Sequence, residues 1–375
     1  MKRYQTGKPY LTSRDKKYVL DVLASGQLSL GPQYQAFERR FARLVGTRYA
    51  CAVSSGTAGL HLAMIAAGVT KGDEVITTPF SFIASANCVE YVGARPVFVD
   101  IDPVTYNIDP KKIERAITKK TKAILVVHIF GQAADMTPIV RIAQRHRLQI
   151  IEDACESVNA TYHGKKVGTF GTAAVFAFYP NKQMTTGEGG MVVTNNQKVY
   201  KLCCSLRNQG RVMGDQWLDH RYLGYNYRLD EMSAALGIAQ LEKLNWMIAQ
   251  RQKIARWYTT QLRAHHDLLV PPAVAVGNVS TWFVYVIKLA DTKIKRDSVI
   301  TQLKRRGIST RPYLPPIHLI SFYRKKYRCR RGDFPITETV GRQTLALPFY
   351  VGLTKADIEY IVKTLIKILR TYGKK

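Results

Sequence analysis

Apolar positions in the first 230 residues fall into short runs that alternate between two periods. Residues 34–47 space Tyr34, Phe37, Phe41 and Leu44 at helical intervals. Residues 50–53 form a compact apolar run, followed by Ser54-Ser-Gly-Thr57 and a helix-like stretch over 58–67. The alternation continues with predicted strands at 74–78, 96–100, 123–127 and 149–152, and predicted helices at 82–92, 110–117 and 136–146. Two further predicted strands, 173–178 and 191–194, flank a glycine-rich turn. Strands of nearly continuous Val and Ile content between helices predict an α/β fold, with a mostly parallel sheet covered on both faces.

From residue 230 the pattern changes. One long helix is predicted over 230–262, then a break at Pro271-Pro272, a strand over 282–289 and a helix over 298–306. A proline-rich loop (311–318) and a last helix (355–370) follow. This reads as a large domain, 1–247, and a smaller α+β domain, 248–375, with the N-terminal 25 residues as a segment that packs on the small domain.

Composition narrows the class. Of 375 residues, 46% are hydrophobic and 22% charged, which is ordinary for a soluble globular protein. No apolar run approaches a membrane span, and the N-terminus lacks a signal-peptide core, so a cytoplasmic protein is expected. The six cysteines have no metal-ligand spacing and read as free buried thiols; no metal site is expected. The net charge of +29 attracts polyanions. Its densest clusters, residues 324–331 and the lysine-rich tail ending at Lys375, carry no zinc-finger, RNP or GxxG signature. A diphosphate-bearing substrate suits the same charge, which weighs against nucleic acid.

Four features bear on chemistry, because ligands of a parallel sheet sit at the carboxyl ends of its strands. Ser54-Ser-Gly-Thr57 is a small-residue turn opening a helix, suited to a phosphate or simply to an N-cap. Asp153, directly after an apolar strand, could pair with a cationic ring nitrogen or cap a helix. Phe82 could stack on a flat ring or fill the core. Lys182 lies between an apolar strand and the turn Gly187-Glu-Gly-Gly190. Burial there would penalise its charge and free its amine for covalent chemistry. A phosphate cradle, an aromatic plate, an acid and such a lysine together meet the requirements of pyridoxal 5′-phosphate.

With these residues in view, the chain resembles the DegT/DnrJ/EryC1/StrS family of sugar aminotransferases. The shared motifs include Ser55-Gly-Thr57, Thr78-Pro79 with Phe82, Val127-His-Ile-Phe-Gly131, Glu152-Asp-Ala154, Tyr179-Pro-Asn-Lys-Gln183, Gly224-Tyr-Asn-Tyr-Arg228, Pro316-Ile-His318 and Leu347-Pro348. The resemblance implies the PLP-dependent transferase fold of type I, with a seven-stranded sheet, and an active site shared between two subunits of a homodimer. It implies Lys182 as the Schiff-base and proton-moving residue, Asp153 on the pyridine nitrogen, Phe82 on the ring, and Gly56 and Thr57 on the phosphate. Glu156 takes a position, often Gln or His in the family, near the ring hydroxyl. Asn226 matches the residue reaching the neighbouring subunit's cofactor phosphate. Arg228, Arg311, Tyr313 and His318 are implied substrate contacts, although His318 reads equally well as a structural histidine. Ala177 departs from the pattern, standing where many members place a phosphate-binding serine.

The implied reaction is conversion of a nucleotide-linked keto-sugar to an amino-sugar, with L-glutamate as donor, in amino-sugar and polysaccharide biosynthesis. The alternatives are a non-catalytic or regulatory protein of this fold with a basic nucleic-acid-binding face, and a PLP-dependent sugar dehydratase. Dehydratase members carry histidine where this chain has Lys182, which argues for transamination.

Overall fold

The computed structural model describes residues 2–212 and 219–372. Seven strands build the main sheet: β1 (Tyr49–Val53), β2 (Glu74–Thr77), β3 (Arg95–Phe98), β4 (Thr121–Val127), β5 (Gln149–Asp153), β6 (Ala173–Ala177) and β7 (Gly190–Thr194). Their order is β1-β7-β6-β5-β4-β2-β3, and β7 alone runs antiparallel to its neighbours.

Side-chain alternation along these strands splits the core in two. In β6, Ala174 and Phe176 join one cluster, with Phe37, Phe41, Ile139 and Ile238 from the helices Pro32–Val45, Met136–His146 and Glu231–Glu242. Ala173 and Val175 join the other, with Leu60, Met64, Cys88 and Cys203 from Gly56–Ala66, Ala84–Tyr91 and Gln197–Arg207. Burial on both faces is why these strands lack a polar alternation.

A second sheet, entirely antiparallel, comprises β8 (Leu269–Val270), β9 (Tyr285–Leu289), β10 (Arg311–Pro312) and β11 (Thr344–Leu347), in the order β8-β9-β11-β10. It packs on Leu244–Leu262 and Lys355–Tyr372 through Tyr258, Tyr285, Leu347, Ile361 and Leu365. The sequence pattern shows no element at β11, one of its two central strands.

Two expectations are corrected. The helix predicted over 230–262 is two helices, because Lys243 leaves the helical region (φ −114°, ψ 6°) while its ammonium pairs with Asp15. The strand predicted from residue 282 begins at Tyr285: Thr281 and Phe283 instead bond their amides to Gly131 and Phe130, and Trp282 has a positive φ of 51°. The cysteines are all free, but Cys155, Cys204 and Cys329 are only half-buried. The N-terminal segment divides its contacts. Tyr4 pairs with Ile308 and Lys2 with Asp357, whereas the helix Ser13–Ser25 packs on Glu231–Glu242. Gly373, Lys374 and Lys375, the end of the basic tail, lie outside the described residues. Among the described residues no helix is long and apolar enough to cross a membrane.

Candidate active site

The carboxyl ends of β1, β4, β5 and β6 open on one cavity of about 490 Å³, within the range of small-molecule sites. At the end of β1 the chain turns into Gly56–Ala66, capped by the Ser55 hydroxyl, which accepts from the Ala58 amide at 3.0 Å. Gly56 and Thr57 therefore line the cavity at a helix N-terminus, where first-turn amides lack helical partners. A Cβ on Gly56 would stand 2.7 Å from Ala177 Cβ, and one on Gly190 would stand 2.6 Å from the Ser55 backbone. Neither position has room for a side chain, so this wall stays bare backbone.

Asp153 closes β5 and is buried. Its Oδ2 accepts from the Ser85 hydroxyl at 2.6 Å, Ser85 Oγ lies 2.7 Å from Ser81 Oγ, and its Oδ1 accepts from the Cys155 amide at 3.2 Å. Phe82, between the two serines, is 62% exposed and forms a cavity wall. The core aromatic of this segment is instead Phe80, packed against Tyr106 and Phe130.

Lys182 lies in the loop between β6 and β7. Its backbone is fixed at both ends, by its own amide bonding Tyr179 O at 2.9 Å and by Arg251 Nη2 donating to its carbonyl at 3.2 Å. Burial brings the Arg251 guanidinium down to about 10. Gln183 is tied to the Glu156 carbonyl and to Thr281. The turn that follows requires glycine: Gly189 has φ 153°, and a Cβ there would lie 2.3 Å from Thr186 Oγ1. Held this way, the Lys182 side chain is 12% exposed, with Nζ 3.7 Å from Glu156 Oε1 and 4.0 Å from the centre of the Phe283 ring. Glu156 Oε2 accepts from the Phe130 amide at 2.9 Å. Burial pushes the Glu156 carboxyl above the usual carboxylate range, against the pull of Lys182 and the Phe130 amide. Burial also raises the Cys155 thiol and the Tyr313 phenol, both beside the same cavity.

Gly56, Thr57, Phe82, Asp153, Glu156, Lys182 and Tyr313 thus line one cavity, with Ala177 at its back. The other sequence candidates lie elsewhere in the single chain. Asn226 is exposed and bridges Asn208, and Arg228 donates to Asn208 at 3.0 Å and Gln209 at 3.1 Å. Arg311 is exposed on β10. His318 is fully buried, 3.2 Å from Glu338 Oε1, with its ring against Phe334. Sequence reasoning missed Ser81 and Ser85, whose i, i+4 spacing around Phe82 was the available signal. It also missed Phe283, which reaches the cavity only through the Phe130–Gly131 contact and has no local signature.

Residues 9–366 match the DegT/DnrJ/EryC1/StrS aminotransferase family. Over 370 residues, 98% of each chain, the protein is 40% identical to the GDP-perosamine synthase of Caulobacter vibrioides. The structure of S. venezuelae DesV in complex with a ketimine intermediate superposes with a TM-score of 0.90 at 32% identity, covering 97% of this chain and 98% of that one. The PLP-form structure of Spr1654 from Streptococcus pneumoniae superposes with a TM-score of 0.94 at 25% identity, covering 99% of both chains.

Proposed function

We infer that this chain, which belongs to the DegT/DnrJ/EryC1/StrS aminotransferase family, works with pyridoxal 5′-phosphate held in the cavity around Lys182. The protein is a sugar aminotransferase acting on nucleotide-linked sugars, consistent with its family and with relatives named GDP-perosamine synthase. The finer reading is that the nucleotide is GDP, after the Caulobacter relative, and that L-glutamate supplies the nitrogen. One observation carries the cofactor reading: a buried carboxylate, a largely buried amine and a helix N-terminus face one cavity of about 490 Å³.

The residues fit the cofactor by their chemistry. Asp153 offers a carboxylate to a protonated ring nitrogen. Phe82 offers an aromatic face, Gly56 and Thr57 offer backbone amides and a hydroxyl to a phosphate, and Lys182 offers the amine. Bound there, pyridoxal phosphate supplies an aldehyde for amines to engage and a ring that takes up the electron pair left when a Cα–H bond breaks. Lys182 does the proton work: its Nζ takes the proton from the donor's Cα and holds it for return. Ser85 and the Cys155 amide keep the Asp153 carboxylate aimed inward. The Phe283 ring covers the amine and keeps water from it. The excess of basic residues favours arrival of a nucleotide diphosphate.

Asn226 and Arg228 lie outside the single-chain cavity, which supports a homodimer in which Asn226 serves the neighbouring subunit's phosphate. The division into residues 1–247 and 248–375, and a cytoplasmic location, belong to the same reading. Replacing Lys182 by alanine is expected to abolish turnover and the visible absorbance that pyridoxal phosphate gives the wild type. A Lys182→Ala enzyme with near-normal transamination rules the assignment out.

A further inference from the structure

The cavity makes no use of one of the chain's densest basic runs. Residues 321–334 carry six cationic side chains, Arg324, Lys325, Lys326, Arg328, Arg330 and Arg331, against one acid, Asp333, and all six are exposed. Their arrangement follows from the helix Ser321–Tyr327. Tyr323 and Tyr327, one turn apart, stack on each other and anchor its inner face. The Tyr323 hydroxyl donates to Asn87 Oδ1 at 2.6 Å and the Tyr327 hydroxyl to Glu90, both on the helix Ala84–Tyr91. With that face fixed, helical spacing turns Phe322, Arg324, Lys325 and Lys326 away from the core. Phe322 is 53% exposed, with the Lys326 ammonium 5.6 Å from its ring centre. Arg95, at the start of the edge strand β3, extends the charge, its guanidinium 5.5 Å from the Tyr327 ring. Among the described residues only Lys326 of the six cations pairs with a carboxylate, that of Glu90. None of these residues lines the cavity.

Six like charges side by side, five of them without a counterion, suit an array of phosphates rather than a single phosphate group. They also repel their own copy, so an isologous contact between two chains at this face is disfavoured. Phe322 separates the remaining polyanions. The backbone of a nucleic-acid duplex offers an exposed ring no apolar partner, whereas the headgroup layer of a bilayer accepts an aromatic ring beside its anionic groups. We propose that this face docks the enzyme on an anionic membrane surface, with the cations on lipid phosphates and Phe322 entering the headgroup layer. The attachment is reversible and salt-sensitive, because it rests on exposed charges and one ring. The patch lies apart from the cavity, so docking sets where the enzyme works without entering its chemistry.

The test is co-sedimentation of the full chain with vesicles of phosphatidylcholine, alone or mixed with phosphatidylglycerol. Binding is expected only with phosphatidylglycerol present, and is expected to fall as salt is raised. A cation close to such a surface contributes about fivefold in affinity, so Arg324→Gln/Lys325→Gln/Arg331→Gln is expected to bind about a hundredfold more weakly. Lys363→Gln/Lys367→Gln/Arg370→Gln removes the same charge from exposed positions on the helix Lys355–Tyr372 and is expected to bind nearly as the wild type does. Phe322→Ser is expected to weaken binding and leave its salt dependence unchanged. Equal loss in the two triple variants would assign the binding to the charge of the whole molecule and overturn the proposal. So would equal binding to phosphatidylcholine alone, or tighter binding to single-stranded RNA that is lost in the patch variant, which makes nucleic acid the partner. A raised KM for the nucleotide sugar in the patch variant would also overturn it, placing the patch in the substrate site. The lipid and salt comparisons use the wild type and decide the matter even if a variant does not fold.

Discussion

Among the described residues, Asp153 is positioned by hydrogen-bond donors rather than by an ion pair. The Ser85 hydroxyl, itself in contact with Ser81, and the Cys155 amide account for its hydrogen bonds. A hydrogen bond to a charged group contributes about 1.5–3 kcal/mol. Ser85→Ala, a small change at a fully buried position, is accordingly expected to lower pyridoxal phosphate affinity and kcat/KM about tenfold. Fluorescence titration of the unloaded protein together with steady-state rates would check this. Unchanged values would mean that Asp153 needs no help from the relay.

At the scale of elements, the proposed cofactor cradle is a contact between two turns. The first residue of β7, Gly190, lies against the carbonyl of Ser55 and the amide of Gly56, so strand β7 sets how far the helix Gly56–Ala66 projects into the cavity. The built Cβ at Gly190 meets backbone, which cannot rotate away. Gly190→Ala is expected to cost about 1–3 kcal/mol of stability, measurable by urea unfolding, and to weaken pyridoxal phosphate binding by moving the Gly56 amide. A variant that is destabilised but binds normally would place the cradle elsewhere. Ala177 sits against this same turn, so the hydroxyl missing from the family pattern is missing from the cradle itself.

For the whole molecule, the decisive question is whether one chain completes the site. Asn226 is exposed and outside the cavity of its own chain. If a second copy supplies it, Lys182→Ala and Asn226→Ala subunits fail in complementary ways. Mixed dimers then contain one site with both native residues. Co-refolding the two variants is expected to restore activity above that of either alone. A mixture no more active than its parents would show that the chains do not share sites.

How much was legible in the residues follows from how local each signal is. Strands buried on both faces announce themselves as apolar runs, so the seven-stranded sheet and the helices between its strands could be read directly. That residues ending those strands, Asp153 and Gly56 above all, would line one cavity was readable because a parallel sheet gathers its carboxyl ends in one place. Phe283 could not be read, since only the long-range contact of Thr281 and Phe283 with Phe130 and Gly131 swings it over Lys182. The break at Lys243 depends on Asp15, more than two hundred residues earlier. Local patterning determined the elements and the chemistry they could carry. Packing between distant segments alone decided which aromatic covers the amine, which hydroxyl steadies the acid, and which carboxylate faces the lysine, because those contacts join positions whose spacing in the chain bears no relation to their spacing in the fold.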